Sequence, residues 1–171
     1  MAELTYNERL QPSLLDRLTD EAPGERDESR NRRVISMSRL RKYVRRDLAW
    51  LLNTGHMESL QDLSDYPEVQ RSVINFGLPD LSGTAVSDLS EEQIERIVKN
   101  AILAYEPRIL PNTLRIRSQL SPDQMNRNAI VFEIVGQLWA QPLPSELFLK
   151  TELDLETGDV DVVDAAGSVA R

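Results

Sequence analysis

Apolar residues first settle into a helical period between Ser36 and Asn53. Leu40, Val44, Leu48, Leu51 and Leu52 fall on one stripe, while Arg41, Lys42, Arg45 and Arg46 lie largely off it. Ser36 or Ser38 can cap the start. Asn53-Thr54-Gly55 ends the helix, and Gly55 suits a left-handed terminal position. A second, short helix is predicted near Pro67 to Asn75, with Val69, Val73 and Ile74 as its apolar side. Asn75-Phe76-Gly77-Leu78-Pro79-Asp80-Leu81-Ser82-Gly83 then reads as a shaped loop. A third helix opens on a capping box, Ser90 with Gln93, and has Glu91 and Glu92 at its positive end. Its stripe is Ile94, Ile97, Val98, Ala101, Ile102 and Tyr105, and Pro107 stops it near Glu106.

After Pro111 the period becomes two. Leu114 and Ile116 alternate with Arg115 and Arg117, which predicts a half-exposed strand. Ser121 to Asn128 is a loop. A more apolar strand follows from Ala129 to Trp139, with Ile130, Phe132 and Ile134 on one face. Beyond the break at Gln141-Pro142-Leu143-Pro144-Ser145, Leu147, Leu149, Leu153 and Leu155 alternate with Phe148, Lys150, Glu152 and Asp154. Glu156-Thr157-Gly158-Asp159 turns the chain back through Val160 to Val163. Helices followed by an antiparallel meander make an α+β class fold, with a short acidic last strand whose edge is open to another chain.

Residues 1–33 read as an arm that is flexible or ordered by a partner, 34–164 as a single α+β domain, and 165–171 as a frayed tail. Within the arm, Ser13-Leu14-Leu15-Asp16-Arg17-Leu18 can form about one and a half helical turns. So short a helix needs a larger surface to order it. Asp20-Glu21-Ala22-Pro23-Gly24-Glu25 is a breaker-rich linker.

Charge sharpens this picture. The chain of 171 residues carries a net charge of −8, which argues against general nucleic-acid binding. Nine of its 20 basic residues nonetheless lie between Arg26 and Arg46, where only Asp27 and Glu28 oppose them. That stretch has a local net of +7 and leaves −15 for the remainder. Such polarity favours oriented contact with differently charged neighbours; the plainer reading is a solvated basic helix face. A basic-helix nucleic-acid binder is the corresponding minor alternative. Cysteine is absent, which excludes disulfides and a thiolate nucleophile. Met1 to Leu10 is polar, and no run approaches the roughly 20 apolar residues of a membrane helix. A cytoplasmic protein without membrane insertion is expected.

Catalytic chemistry finds little footing. His56 is the only histidine, and no local motif surrounds it with a nucleophile and an orienting acid. No glycine loop or ligand cluster calls for a cofactor or metal. Glu106 and Glu133 are candidates for the paired carboxylates of a glycosidase, because each sits among apolar residues. The plainer account of Glu133 is an outward-pointing strand residue, or an acid paired with arginine. Ala104-Tyr105-Glu106-Pro107-Arg108-Ile109 is the most unusual segment: Pro107 can hold the flanking acid and base in set directions. Arg108 can then make a planar, two-bond contact to a carboxylate. An ordinary helix stop with two solvated charges is the alternative.

These residues support a resemblance. From the Ser13–Leu18 segment to the Thr157-Gly158 hairpin, the chain resembles the TssE family of type VI secretion baseplates and the related wedge protein of contractile-tailed phages. Tyr43-Val44-Arg45-Arg46-Asp47-Leu48-Ala49-Trp50-Leu51-Leu52-Asn53-Thr54 is similar to the family's early helix, and Asn75-Phe76-Gly77-Leu78-Pro79-Asp80 to its glycine-containing loop. Glu106-Pro107-Arg108 matches its signature tripeptide. The resemblance implies a non-enzymatic baseplate subunit whose fold is similar to the strand-sharing domain of the sheath, and on which the first sheath ring grows. It implies wedge partners TssF, TssG and TssK and sheath partners TssB and TssC. It makes Glu106, Pro107 and Arg108 partner-binding residues, with Leu14, Leu15, Arg17 and Leu18 of the arm beside them. A lysozyme-like hydrolase is the competing reading.

Overall fold

The computed structural model describes residues 13–19, 24, 36–79, 90–119, 129–140, 144–154 and 157–164. Helices come first: α1 (Leu14–Leu18), α2 (Met37–Leu52), α3 (Pro67–Gln70) and α4 (Glu91–Tyr105). Four strands follow: β1 (Arg115–Gln119), β2 (Ala129–Leu138), β3 (Ser145–Asp154) and β4 (Val160–Asp164). They form one antiparallel sheet in sequence order, so the α+β meander read from the sequence is present.

Register explains the core. Ile116, Ile134 and Leu149 lie opposite one another across β1, β2 and β3, and Ile130, Leu153 and Val160 do so across β2, β3 and β4. These rows share one face, because side chains alternate along a strand. α4 covers it over β1, and α2 covers it over β3 and β4. Leu40, Val44, Leu48, Leu51 and Leu52 of α2 and Ile94, Val98, Ala101 and Ile102 of α4 are buried there. Burying each such side chain contributes on the order of 1.5–3 kcal/mol. Both helix starts follow the predicted caps: the Ser36 hydroxyl accepts from Arg39 N–H, and Ser90 with Gln93 makes the full capping box.

The predicted left-handed Gly55 is corrected. Side chains satisfy the end of α2 instead: Asn53 Nδ2 donates to Ala49 O at 2.7 Å, and Thr54 Oγ1 to Trp50 O at 2.7 Å. Among the described glycines, positive φ falls on Gly77 at 131° and Gly158 at 78°, the latter in the predicted hairpin. The single helix expected over Pro67 to Asn75 is also corrected. It stops at Gln70, because Ser72 bonds locally to Val69 O and Ile74 N–H, and a 3-10 turn, Val73–Asn75, follows. Val73 and Ile74 are exposed, while Asn75 is the buried residue. Its amide accepts from Glu58 N–H at 2.9 Å and donates to Gln70 O at 3.1 Å.

β4 is a sheet edge, but part of it is taken. Val160 exchanges two hydrogen bonds with the Asn53 amide, each 2.8 Å long. By antiparallel alternation the outward backbone positions that remain begin at Val162. The expected loops at Asp80–Gly83 and Ser121–Asn128, the Gln141–Leu143 break, Leu155, Glu156, the tail and most of the arm lie outside the described residues.

Gly77 closes the excursion after α2. Leu78 N–H donates to Thr54 O at 2.7 Å and His56 N–H to Leu78 O at 2.9 Å. A Cβ on Gly77 would stand 2.2 Å from Thr54 O. Gly77→Ala is therefore expected to cost at least about 1–3 kcal/mol, read as a lower urea midpoint at unchanged slope. An unchanged midpoint would show that this closure is dispensable.

Candidate functional site

The site begins where α4 ends. Pro107 disfavours a helical residue before it, so Glu106 leaves the helix at φ −119° and ψ 79° while its N–H still reaches Ile102 O at 2.9 Å. The next residues attach to the end of β2: Trp139 N–H donates to Arg108 O at 2.7 Å and Leu110 N–H to Gln137 O at 2.8 Å. With the backbone pinned on both sides, the Arg108 side chain folds back onto Glu106. Arg108 N–H and Nε donate to Glu106 Oε1 at 3.1 and 2.6 Å, and Nη2 donates to Oε2. Both residues that flank Pro107 thus spend their side chains on each other, in the two-bond geometry specific to arginine.

The contact extends along a ladder. Arg108 Nη2 also donates to Asp47 Oδ2 on α2. Asp47 Oδ1 accepts from Arg46 Nε and Nη2 at 2.8 and 2.6 Å. Arg46 Nη2 reaches Asp16 Oδ1 of α1 at 2.8 Å, and Asp16 Oδ2 accepts the Ser13 hydroxyl at 2.6 Å. Arg46 packs over the rings of Tyr43 and Trp50, 5.2 and 4.9 Å from their centroids. Three carboxylates and two guanidiniums therefore alternate from α4 through α2 to α1.

Burial is uneven along it. Glu106 is only 4% exposed, and the Asp16 side chain 1%. Arg46, Asp47 and Arg108 are partly open. Burial opposes the charge on Arg108, but the hydrogen bonds and charge of Glu106, then of Asp47, outweigh it and hold the guanidinium above its ordinary range. Burial likewise opposes Arg46, and Asp47 with Asp16 reverses the balance upward. Arg108 Nη1 is buried without a hydrogen-bond partner.

A cavity of about 500 Å³ lies alongside, with mostly apolar walls from Leu15, Leu48, Trp50, Leu51, Phe76 and Tyr105 and with Glu106, Pro107 and Arg108 on its border. Tyr105 donates to Asn75 O at 2.7 Å and meets Phe76 edge-on at 5.3 Å, which anchors the glycine loop to this wall.

The structure thus brings Glu106, Pro107, Arg108 and Leu15 together. Leu14, Arg17 and Leu18 lie on the outer side of α1, exposed. Asp16, Arg46 and Asp47 were missed as site residues. Asp47 left a signal: it sits seven residues after Leu40 and four before Leu51, an acid at an apolar-stripe position. Glu133 stands opposite Arg117 and Lys150 on the sheet face away from the helices, whereas Glu106 is held against α2, so the two candidate carboxylates do not converge. His56 Nδ1 accepts Ser59 N–H at 3.0 Å and caps a short turn. Among the described residues, no acidic or histidine cluster is placed to hold a metal.

Residues 38–143, which include the signature and its ladder partners on α2, match the family described as baseplate wedge protein gp25. The chain belongs to that family. A solved structure from Geobacter sulfurreducens, provisionally described as a tail lysozyme, is similar at 17% identity and a TM-score of 0.40, covering 68% of this chain and 92% of that one. No curated protein matches the chain. The family span starts after α1, so the arm's contact with Arg46 extends beyond the matched residues.

Removing one member of a buried ion pair leaves the other charge uncompensated. Glu106→Ala is expected to lower stability by about 3–5 kcal/mol in urea unfolding. A loss under about 0.5 kcal/mol, typical of surface positions, would show that the pair is ornamental.

Proposed function

We propose that the protein is a TssE-type structural subunit of a type VI secretion baseplate, cytoplasmic and non-enzymatic, that links the wedge to the contractile sheath and templates sheath assembly. The observation that carries this reading is the family's signature tripeptide set in a ladder of alternating acids and arginines, with Glu106 buried at its inner end. Glu106 is committed to Arg108 and Asp47 shares that arginine, an arrangement that builds a rigid surface. The exposed part of Arg108, beside the apolar cavity, is the portion left to meet a wedge chain. Wedge subunits TssF, TssG and TssK are the partners here, and the arm leucines extend the same face. At the opposite end of the fold, the β4 edge beyond Val160 can add a strand, which suits sheath proteins TssB and TssC and a fold similar to their strand-sharing domain. No helix among the described residues is long and apolar enough to cross a membrane.

Arg108→Lys keeps the charge but loses the planar fork. In the host, this variant is expected to remain folded by thermal unfolding while sheath assembly, imaged with a fluorescent sheath subunit, falls at least about tenfold. Normal sheaths would remove Arg108 from the site. Sheaths that grow without the protein, together with peptidoglycan clearing by purified wild type, would favour the hydrolase.

A further inference from the structure

α1 is inverted relative to an ordinary surface helix. Its acid, Asp16, is buried, and Leu14 and Leu18 are 72% and 75% exposed. Those leucines are four residues apart and share one side of the helix. Five residues do not make a stable helix alone. α1 is held by Asp16 on Arg46, by its own Ser13 cap, and by Leu15 on the cavity wall. Leaving two leucines in water forgoes about 1.5–3 kcal/mol each, more than a partly open ion pair returns. The domain therefore invests its contacts in presenting this apolar side outward.

α2 supplies the neighbouring half. Arg46 bridges Asp16 and the half-exposed Trp50, so an aromatic flanks the same joint. Among the described residues of these two helices the exposed charges are basic: Arg17 on α1, and Lys42 and Arg45 on α2, with Lys42 one turn before Arg46. A solvated basic face would not need the leucines and tryptophan. A nucleic-acid face would carry more of its contact through polar groups, and the chain as a whole is acidic at −8.

We propose that α1 and the adjoining face of α2 form one composite docking surface for an amphipathic, acid-flanked protein helix of a wedge subunit. Its apolar side chains meet Leu14, Leu18 and Trp50, and its acids face Arg17, Lys42 and Arg45. Asp16 and Arg46 are positioning residues that hold the two halves in register. This rests on the baseplate reading and adds the surface and the chemistry of what meets it.

The test measures binding of the purified full chain to a purified complex of TssF and TssG at low and high salt. Circular dichroism and the urea midpoint monitor the fold of each variant. Leu14→Ser with Leu18→Ser is expected to weaken binding at least about tenfold with the fold unchanged. Arg17→Glu with Lys42→Glu should weaken binding at low salt and flatten its salt dependence. Asp16→Asn should weaken binding as the leucine variant does, without further loss when the two are combined. Wild type that binds the complex equally with and without the leucines overturns the surface and leaves the baseplate role standing. Wild type that does not bind the complex overturns both. Binding of a short DNA duplex in place of the complex, abolished by the charge reversals, would overturn the protein partner.

Discussion

The two-bond contact between the Glu106 carboxylate and the Arg108 guanidinium is the constraint on which the rest of the site depends. It exists because Pro107 ends α4 and turns the chain, and because β2 then fixes the backbone of Arg108 and Leu110. Glu106 is buried, so its charge must be met. Arg108 meets it and has one edge left for Asp47. One turn at a helix end thus locks the helical layer to the sheet. Arg46 carries the same alternation outward to Asp16, and a short arm helix that could not stand alone becomes part of the domain's surface.

How far this was legible varied with the kind of signal. The helix from Ser90 to Tyr105 was plain, since a capping box, an apolar stripe and a following proline all agree. The strands were legible because their apolar row faces one core. The excursion after α2 was not. Val73 and Ile74 looked like core residues, but Ser72 redirected the backbone and Asn75 took the buried place. Gly55 looked like a helix stop, whereas Asn53 and Thr54 closed the helix with side chains and left the glycine requirement to Gly77. Those outcomes turn on contacts between distant residues, which periodicity does not encode. The signature was visible as a tripeptide, but its partners were not: Asp47 lies 59 residues before Glu106 in the chain. Only its place on an apolar stripe hinted at a buried, paired acid.

A ladder of this kind suits assembly better than turnover. Glu106 is buried and accepts from Arg108 on both of its oxygens, while Asp47 and Asp16 are each engaged by Arg46. What the fold offers instead is three surfaces in fixed relation: the signature at the end of α4, the leucine side of α1, and the β4 edge that Asn53 leaves open beyond Val160. Membership of the baseplate wedge family places that geometry among baseplate wedge proteins.

The central claim is that the arm and the signature are one energetic unit. A double-mutant cycle between Asp16→Asn and Arg108→Lys, with stability read by urea unfolding, tests it most directly. Among the described residues, no hydrogen bond or ion pair joins the two directly; the ladder links them through Arg46 and Asp47. A coupling energy of about 0.5 kcal/mol or more is predicted. Losses that add to within about 0.3 kcal/mol would contradict the claim and make the ladder a row of independent pairs.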